Sequence, residues 1–168
     1  MSFSYDAFAR FTKALQAWLA ADATLVTLTG HTGAAGGFRI YIIQGTDLLH
    51  EDSLLIDPVD ADPWHPNVDH LIVSTVNLYS YARTRVKALN IIGAAYKKCS
   101  QSETTLLDPY FSSSSIRVRL VRPYGIDQMG EEMFIASSIR RTERSDSPMP
   151  DRHMCAMPIQ VVWQDTTA

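Results

Sequence analysis

The feature that most constrains the fold of this sequence is a strand that runs directly into an amphipathic helix between His70 and Ser100. The segment His70–Tyr79 (HLIVSTVNLY) has apolar side chains on both faces of an extended chain, so the strand is expected to be covered on both sides for much of its length. We predict that Ser80 caps the following helix, Tyr81–Cys99, because its hydroxyl can accept from a free N–H of the first turn. The predicted apolar stripe of that helix is Val86, Leu89, Ile92, Tyr96 and Cys99.

The N-terminal part of the chain predicts two further helices. Apolar residues recur at three- and four-residue spacing over Tyr5–Leu19, which favours a helix with one apolar stripe. Asp22 is placed to cap a short second helix over Ala23–Leu28, and Gly30 is placed to end it.

Runs of β-branched, aromatic and alternating residues predict the remaining strands. They lie at Phe38–Ile43, Leu54–Asp57 (a weak signal), Ile116–Arg122, about Met133–Arg144, and His153–Gln164. In the run IRVRLVR, Ile116, Val118 and Leu120 fall on one face, as in a half-exposed antiparallel strand. Pro158 in the last run indicates an edge position or a bulge. The links between the last three strands favour an antiparallel meander.

Together these elements predict an α+β fold in a single domain, residues 1–168. The sheet is expected to be mostly antiparallel with four to five strands, and the N-terminal helix and a second helix are expected to pack on one face. Residues 44–69 are expected to form a long acidic loop, since they include three prolines and seven acidic residues. Loops of that length inside a compact domain are usually functional or mobile.

No pattern in the sequence supports catalysis, a cofactor or a metal site, and we expect that the protein is not an enzyme. There is no CxxC, HExxH or GxSxG motif, and the run Gly30–Gly37 lacks the Lys-Ser/Thr of a phosphate-binding loop. The scattered histidines are expected to be solvated. Cys99 and Cys155 are expected to be free and buried on apolar faces, where a thiolate is disfavoured. Neither a membrane span nor a secretory signal is expected.

Charge is distributed unevenly along the chain. Residues 1–79 carry three basic and nine acidic residues, a net charge of −6. Residues 80–168 carry twelve basic and nine acidic residues, a net charge of +3. Six arginines fall on two predicted strands: Arg117, Arg119, Arg122, Arg140, Arg141 and Arg144.

Three interpretations of these arginines are open. They can form a solvated outer sheet face, bind phosphate backbones without sequence preference, or meet the acidic loop of a neighbouring copy of the chain. The third interpretation fits the charge polarisation better, and a heterologous contact of this kind closes into a ring when the rotation allows. The candidate subunit-interface residues are therefore Asp57, Asp60, Asp62, Arg117, Arg119, Arg140 and Arg141.

The order of the segments is itself informative. A helix ending in AWLAADATLVTLTG is followed by the strand FRIYII, the unit HLIVSTVNLYSYARTRVKALNIIGAAYKKC and closing strands that end in MPIQVVWQD. The step Tyr79-Ser80-Tyr81 leads into a helix that carries Arg83, Arg85, Lys87 and Ala88. This arrangement resembles the tail terminator (tail completion or minor tail) proteins of long-tailed bacteriophages. Segment 44–69 and the link 100–115 are longer than the resemblance leads us to expect.

The resemblance implies a structural role in a phage neck. Such proteins assemble as hexameric rings on the finished tail tube, stop its polymerisation and join it to the head connector. It further implies no cofactor, contacts with a tail tube protein and a head-closure or connector protein, DNA only in transit through a lumen, and no membrane. The location would be the virion tail or neck, assembled in the host cytoplasm. Two alternatives are another head–tail connector (head-closure) component and a small-ligand-binding regulatory α+β module.

Overall fold

A computed structural model describes residues 5–34, 37–42, 52–63, 71–101, 109–123, 135–139 and 152–167. Its helices are α1 (Tyr5–Ala20), α2 (Ala23–Thr29) and α3 (Arg85–Ser100), with a 3-10 turn at Ser112–Ser114. Its strands are β1 (Ile40–Ile42), β2 (Ser53–Pro58), β3 (Asp62–Pro63), β4 (Ile72–Ala82), β5 (Ile116–Pro123), β6 (Ile135–Ile139) and β7 (Arg152–Asp165).

The described strands form one sheet in the order β1-β2-β4-β7-β5. Two short strands lie beside this path, β3 on β4 and β6 on β7. The pair β1–β2 is parallel and the other pairs are antiparallel. This confirms the predicted α+β class with a mostly antiparallel sheet and helices on one face. The weak strand signal at Leu54–Asp57 is confirmed by β2, which lies between β1 and β4.

The predicted meander of the last three strands is wrong, because β7 lies between β4 and the pair β5 and β6. The two longest strands pair from Ile72 opposite Trp163 to Ala82 opposite His153, so each covers an edge of the other. On the far side of β7, β6 pairs with Arg152–Ala156 and β5 pairs with Ile159–Asp165. Pro158 therefore lies in the gap between the β6 and β5 pairings. Proline has no N–H to donate, and at this position neither of the two described pairings needs one.

The core lies between the sheet and the helices α1 and α3. Alternate residues of β7, from Cys155 to Trp163, are buried against this helical layer. The Phe11 ring on α1 stacks on the Trp163 ring with centroids 4.7 Å apart and an angle of 2° between the rings. The Trp163 Nε1–H donates to Ser74 Oγ on β4 at 2.9 Å, so the one polar atom of this buried indole is paired.

The start of α3 differs from the prediction. Ser80 does not cap the helix, because β4 continues to Ala82 and Ser80 is a buried strand residue opposite Cys155. Its hydroxyl instead donates to Ala88 O of α3 at 2.8 Å. Thr84 is the N-cap, and its Oγ1 accepts from Lys87 N at 3.2 Å.

The buried face of α3 is rotated from the predicted stripe. Val86 was expected in the core but is 68% exposed. Two alanines, Ala88 and Ala95, are fully buried on this face, and the predicted stripe of larger apolar residues did not include them. The buried residues are Ala88, Ile91, Ile92, Ala95 and Cys99.

Sequence predictions about local chemistry are confirmed at both ends of α2 and at the two cysteines. Asp22 caps α2 by accepting from Leu25 N, and Gly30 ends it in the left-handed region at φ +69°, where glycine is favoured. Cys99 and Cys155 are free and buried, and burial raises the pKa of Cys99 to about 12.

His31 contradicts the expectation of solvated histidines. It is half-buried, and its Nδ1 accepts from the N–H groups of Arg39 and Ile40, each at 3.0 Å. Its ring contacts Phe38 edge-on at 5.4 Å. Desolvation by burial lowers the pKa of His31, as expected for an imidazole that acts as an acceptor. His31 therefore anchors the entrance to β1.

Candidate subunit interface

Three predicted acidic residues gather beside the first half of β4. Asp57 is half-buried near the end of β2 and pairs with Asn77, whereas Asp60 and Asp62 are exposed. Between them Val59 is 56% exposed, and its N–H donates to Thr75 O at 2.9 Å, continuing the β2–β4 ladder. We call Asp57, Val59, Asp60 and Asp62 the acidic edge.

One of these carboxylates has a task within the subunit. Asp60 Oδ1 accepts from Thr75 N at 2.7 Å. This hydrogen bond fixes the turn that links β2 to β3. Asp60 is therefore a positioning residue of the acidic edge, and Asp57 and Asp62 are left as its candidate contact carboxylates.

The predicted alternation of β5 holds for its first half only. Ile116 and Val118 are buried and Arg117 and Arg119 are exposed, as expected. A β-bulge then shifts the register, because Val118 lies opposite Trp163 and Leu120 lies opposite Val162. Leu120 was predicted on the core face, but it is 37% exposed, and Val121 takes the buried position.

The bulge and the charges limit how β5 can meet a partner. Bulges and charged side chains are common devices that keep an exposed strand from pairing with another sheet. Arg122 donates from Nε and Nη2 to Gln160 Oε1 at 3.0 and 2.8 Å, so it is held on the sheet. Arg117 and Arg119 have no ion-pair partner in the part of the chain that the structure describes. We call Arg117, Arg119, Leu120 and Arg122 the arginine strand.

The acidic edge and the arginine strand lie at the same end of the sheet, near opposite edges. Asp62 is opposite Val73, which pairs with Val162 of β7, and Val162 pairs with Leu120. Three strand spacings of about 4.8 Å separate the two groups, or about 14 Å. One subunit therefore keeps its candidate acids and arginines apart. Arg140 and Arg141, the other two candidate residues, lie outside the described residues.

Sequence reasoning missed Arg10, which binds the residues next to the start of the arginine strand. Its guanidinium donates to Asp6 Oδ2 at 2.9 Å, to Ser114 O at 2.7 Å and to Asp165 Oδ2 at 3.0 Å. Burial alone would raise the pKa of Asp165, but hydrogen bonds from Thr167 and Arg10 outweigh it and lower the pKa. The Asp6–Arg10 spacing of four residues was a visible signal, whereas the contact with Asp165 has no local signature.

Two lysines of α3 join the helix to other parts of the fold. Lys87 Nζ is 2.6 Å from Asp52 Oδ2. Lys98 Nζ is 3.8 Å from Asp22 Oδ2 and lies 5.0 Å from the centroid of the Trp18 ring. Burial lowers the pKa of Lys98. Both lysines therefore have partners within the subunit.

The described ranges offer neither a metal site nor a membrane-spanning helix. They contain no group of three or more His, Cys, Asp or Glu side chains suited to hold a metal ion. None of the described helices is long and apolar enough to cross a membrane.

Comparison with known proteins gives one result at the level of the fold. No protein-family model matches the chain, and no curated protein sequence matches it. A chain of a solved structure described as "Virion of native gene transfer agent (GTA) particle" has a similar fold, with a TM-score of 0.55 and 12% sequence identity. The match covers 96% of this chain and 99% of that chain. At this identity the likeness concerns the fold alone.

Proposed function

We propose that this chain is a structural component of a phage-like virion, and specifically a neck protein that forms a ring on the end of the tail tube. The observation that carries the ring is the placement of the acidic edge and the arginine strand near opposite edges of one sheet, at the same end. The virion origin of the similar fold supports the wider role. The sequence resemblance supports the tail terminator assignment.

The charge pattern favours a heterologous contact between copies. If two copies met through the same edge, like charges would face each other across the interface. If the acidic edge of one copy meets the arginine strand of the next, every subunit uses both groups, and the series closes when the rotation allows. A single exposed ion pair contributes about 0–1 kcal/mol, so the stability of the ring comes from repeating the contact at each junction.

In this proposal the chain catalyses no reaction and needs no cofactor. The ring, which we propose to be a hexamer, stops polymerisation of the tail tube protein and presents a surface to the head-closure or connector protein. DNA passes through its lumen in transit.

Light scattering and electron microscopy test the proposal together. The purified chain, alone or with polymerising tail tube protein, should give a particle of several subunit masses. Tubes grown with the chain should end in an extra ring and stop at a shorter length than tubes grown without it. A chain that stays monomeric with and without the tube protein would refute the ring. A ring that binds the connector but leaves tube growth unchanged would favour the alternative of another connector component.

A further inference from the structure

Each of the two charged groups has an exposed aliphatic side chain at its centre. Val59 is 56% exposed between Asp57 and Asp60, and Leu120 is 37% exposed next to Arg119. Neither is explained by the core, since both lie outside the buried cluster of the subunit. Interfaces between proteins commonly have an apolar centre that excludes water and a charged rim.

The levels of the two aliphatic side chains on the sheet differ by two residues along the strands. Val59 donates its N–H to Thr75 O, and Thr75 pairs with Gln160, the partner of Arg122. Leu120 is two residues from Arg122 along β5. A neighbour joined side by side and shifted by two residues, or about 7 Å, along the strands therefore brings the Val59 of one copy next to the Leu120 of the next.

We propose that Val59 of one copy packs on Leu120 of the next and forms the apolar centre of the subunit contact, with Asp57 and Asp62 facing Arg117 and Arg119 around it. The occupant of the surface around Leu120 is thus a second copy of this chain. The inference rests on the proposed ring and specifies how its subunits meet. The charges determine which two edges come together, and the Val59–Leu120 contact sets the register between those edges. The bulge at Arg119 prevents simple strand addition and turns Leu120 outward.

Cysteine cross-linking tests this pairing directly. Val59 and Leu120 lie about 16 Å apart within one subunit, counted as three strand spacings across the sheet and two residues along it. A disulfide needs Cα atoms within about 7 Å, so Val59→Cys and Leu120→Cys can be linked only between subunits. The native Cys99 and Cys155 are buried and give a low background.

The mixture of the two single variants is the decisive sample. Under mild oxidation, V59C mixed with L120C should give covalent dimers, about tenfold more than either variant alone, and the double variant should give a ladder of oligomers. Either variant alone sets its cysteine against an aliphatic side chain at the contact, so it lacks a second thiol there. The exposed Val86 supplies the control, since V86C mixed with L120C should give only the background level.

The outcomes separate the inference from the proposed function. If the wild-type chain assembles but V59C and L120C do not cross-link above the control, the inference is overturned and the ring stands. Strong dimerisation of V59C alone would also overturn it, because it indicates a symmetric contact. If the wild-type chain does not assemble at all, both fail. As a second readout, V59S and L120S should each weaken assembly about tenfold while leaving the thermal unfolding temperature unchanged.

Discussion

Arg10 on the first helix and Asp165 at the end of the last strand form an ion pair of 3.0 Å, although 155 positions separate them in the chain. The same guanidinium donates to Ser114 O, in the turn that immediately precedes β5. Arg10 thus joins α1, the 3-10 turn and β7 at the place where the arginine strand begins. A residue near the N-terminus therefore helps to fix the position of the arginine strand, which lies more than 100 residues later in the chain.

Replacing Arg10 with Met should destabilise the fold by about 1–2 kcal/mol, because the half-buried Asp165 and Ser114 O lose a charge-assisted donor. Urea denaturation at neutral pH measures the change. Lys13→Met on the same helix is the matched control, since Lys13 is exposed, and it should change stability by less than about 0.5 kcal/mol. Equal losses in both variants would show that helix α1 is generally sensitive to charge removal.

His31 should make stability depend on pH in the mildly acidic range. Its folded-state pKa is lowered by burial, so the unfolded chain takes up the proton first as the pH falls. The contribution of His31 is therefore fully present above its unfolded pKa of about 6.5 and is lost as the pH falls through the lowered folded pKa.

The variant His31→Asn separates this effect from the other histidines. Its side-chain oxygen can still accept from Arg39 N and Ile40 N but does not titrate. Denaturation midpoints between pH 5 and 7.5 should therefore fall less for H31N than for the wild type. Parallel curves for the two proteins would contradict the assigned role of Nδ1.

The buried bond from Trp163 to Ser74 should also contribute measurably. Ser74→Ala leaves the indole N–H without its acceptor inside the core and should lower the unfolding free energy by about 1–3 kcal/mol. Ser113→Ala, at an exposed hydroxyl, should stay within about 0.5 kcal/mol of the wild type. A neutral Ser74→Ala would mean that the indole finds another acceptor.

Local patterns in the sequence predicted the elements well and their arrangement less well. The caps at Asp22 and Gly30 and the α+β class follow from short-range chemistry, and the structure confirms them. The central position of β7 depends on pairing with β4, seventy or more residues away, so adjacency along the chain misled the meander prediction. Thr84 displaced Ser80 as the cap because β7 extends the ladder of β4 by two residues past Ser80.

The charged residues of the candidate interface could be chosen from the sequence, but the exposure and local contacts of its other residues could not. Asp57, Asp62, Arg117 and Arg119 were chosen from charge alone, and their place in a subunit contact stays a prediction. The exposure of Leu120 was missed, because a one-residue bulge reverses the alternation and leaves no reliable mark in the sequence. The use of Asp60 within the subunit was missed as well, since it depends on the position of Thr75 in a neighbouring strand.

Assembly should be sensitive to salt and to the charge of the arginine strand. Arg117→Glu with Arg119→Glu should weaken self-association and leave the unfolding temperature within a few degrees of the wild type, because both side chains are exposed. Wild-type association should fall between about 0.05 and 0.5 M salt as the Debye length shortens. Sedimentation velocity measures both effects. Unfolding of the double variant would show that these side chains support the core.

The most direct measurement of the central claim mixes two charge-reversed proteins. One carries Asp57→Lys and Asp62→Lys, the other Arg117→Glu and Arg119→Glu; Asp60 is kept because it accepts from Thr75 N. Each variant alone has two like-charged edges and should remain monomeric by light scattering under conditions in which the wild type assembles. An equimolar mixture should recover particles of wild-type mass, with the two variants alternating. Variants that assemble alone like the wild type, or a mixture that stays monomeric, would contradict the account.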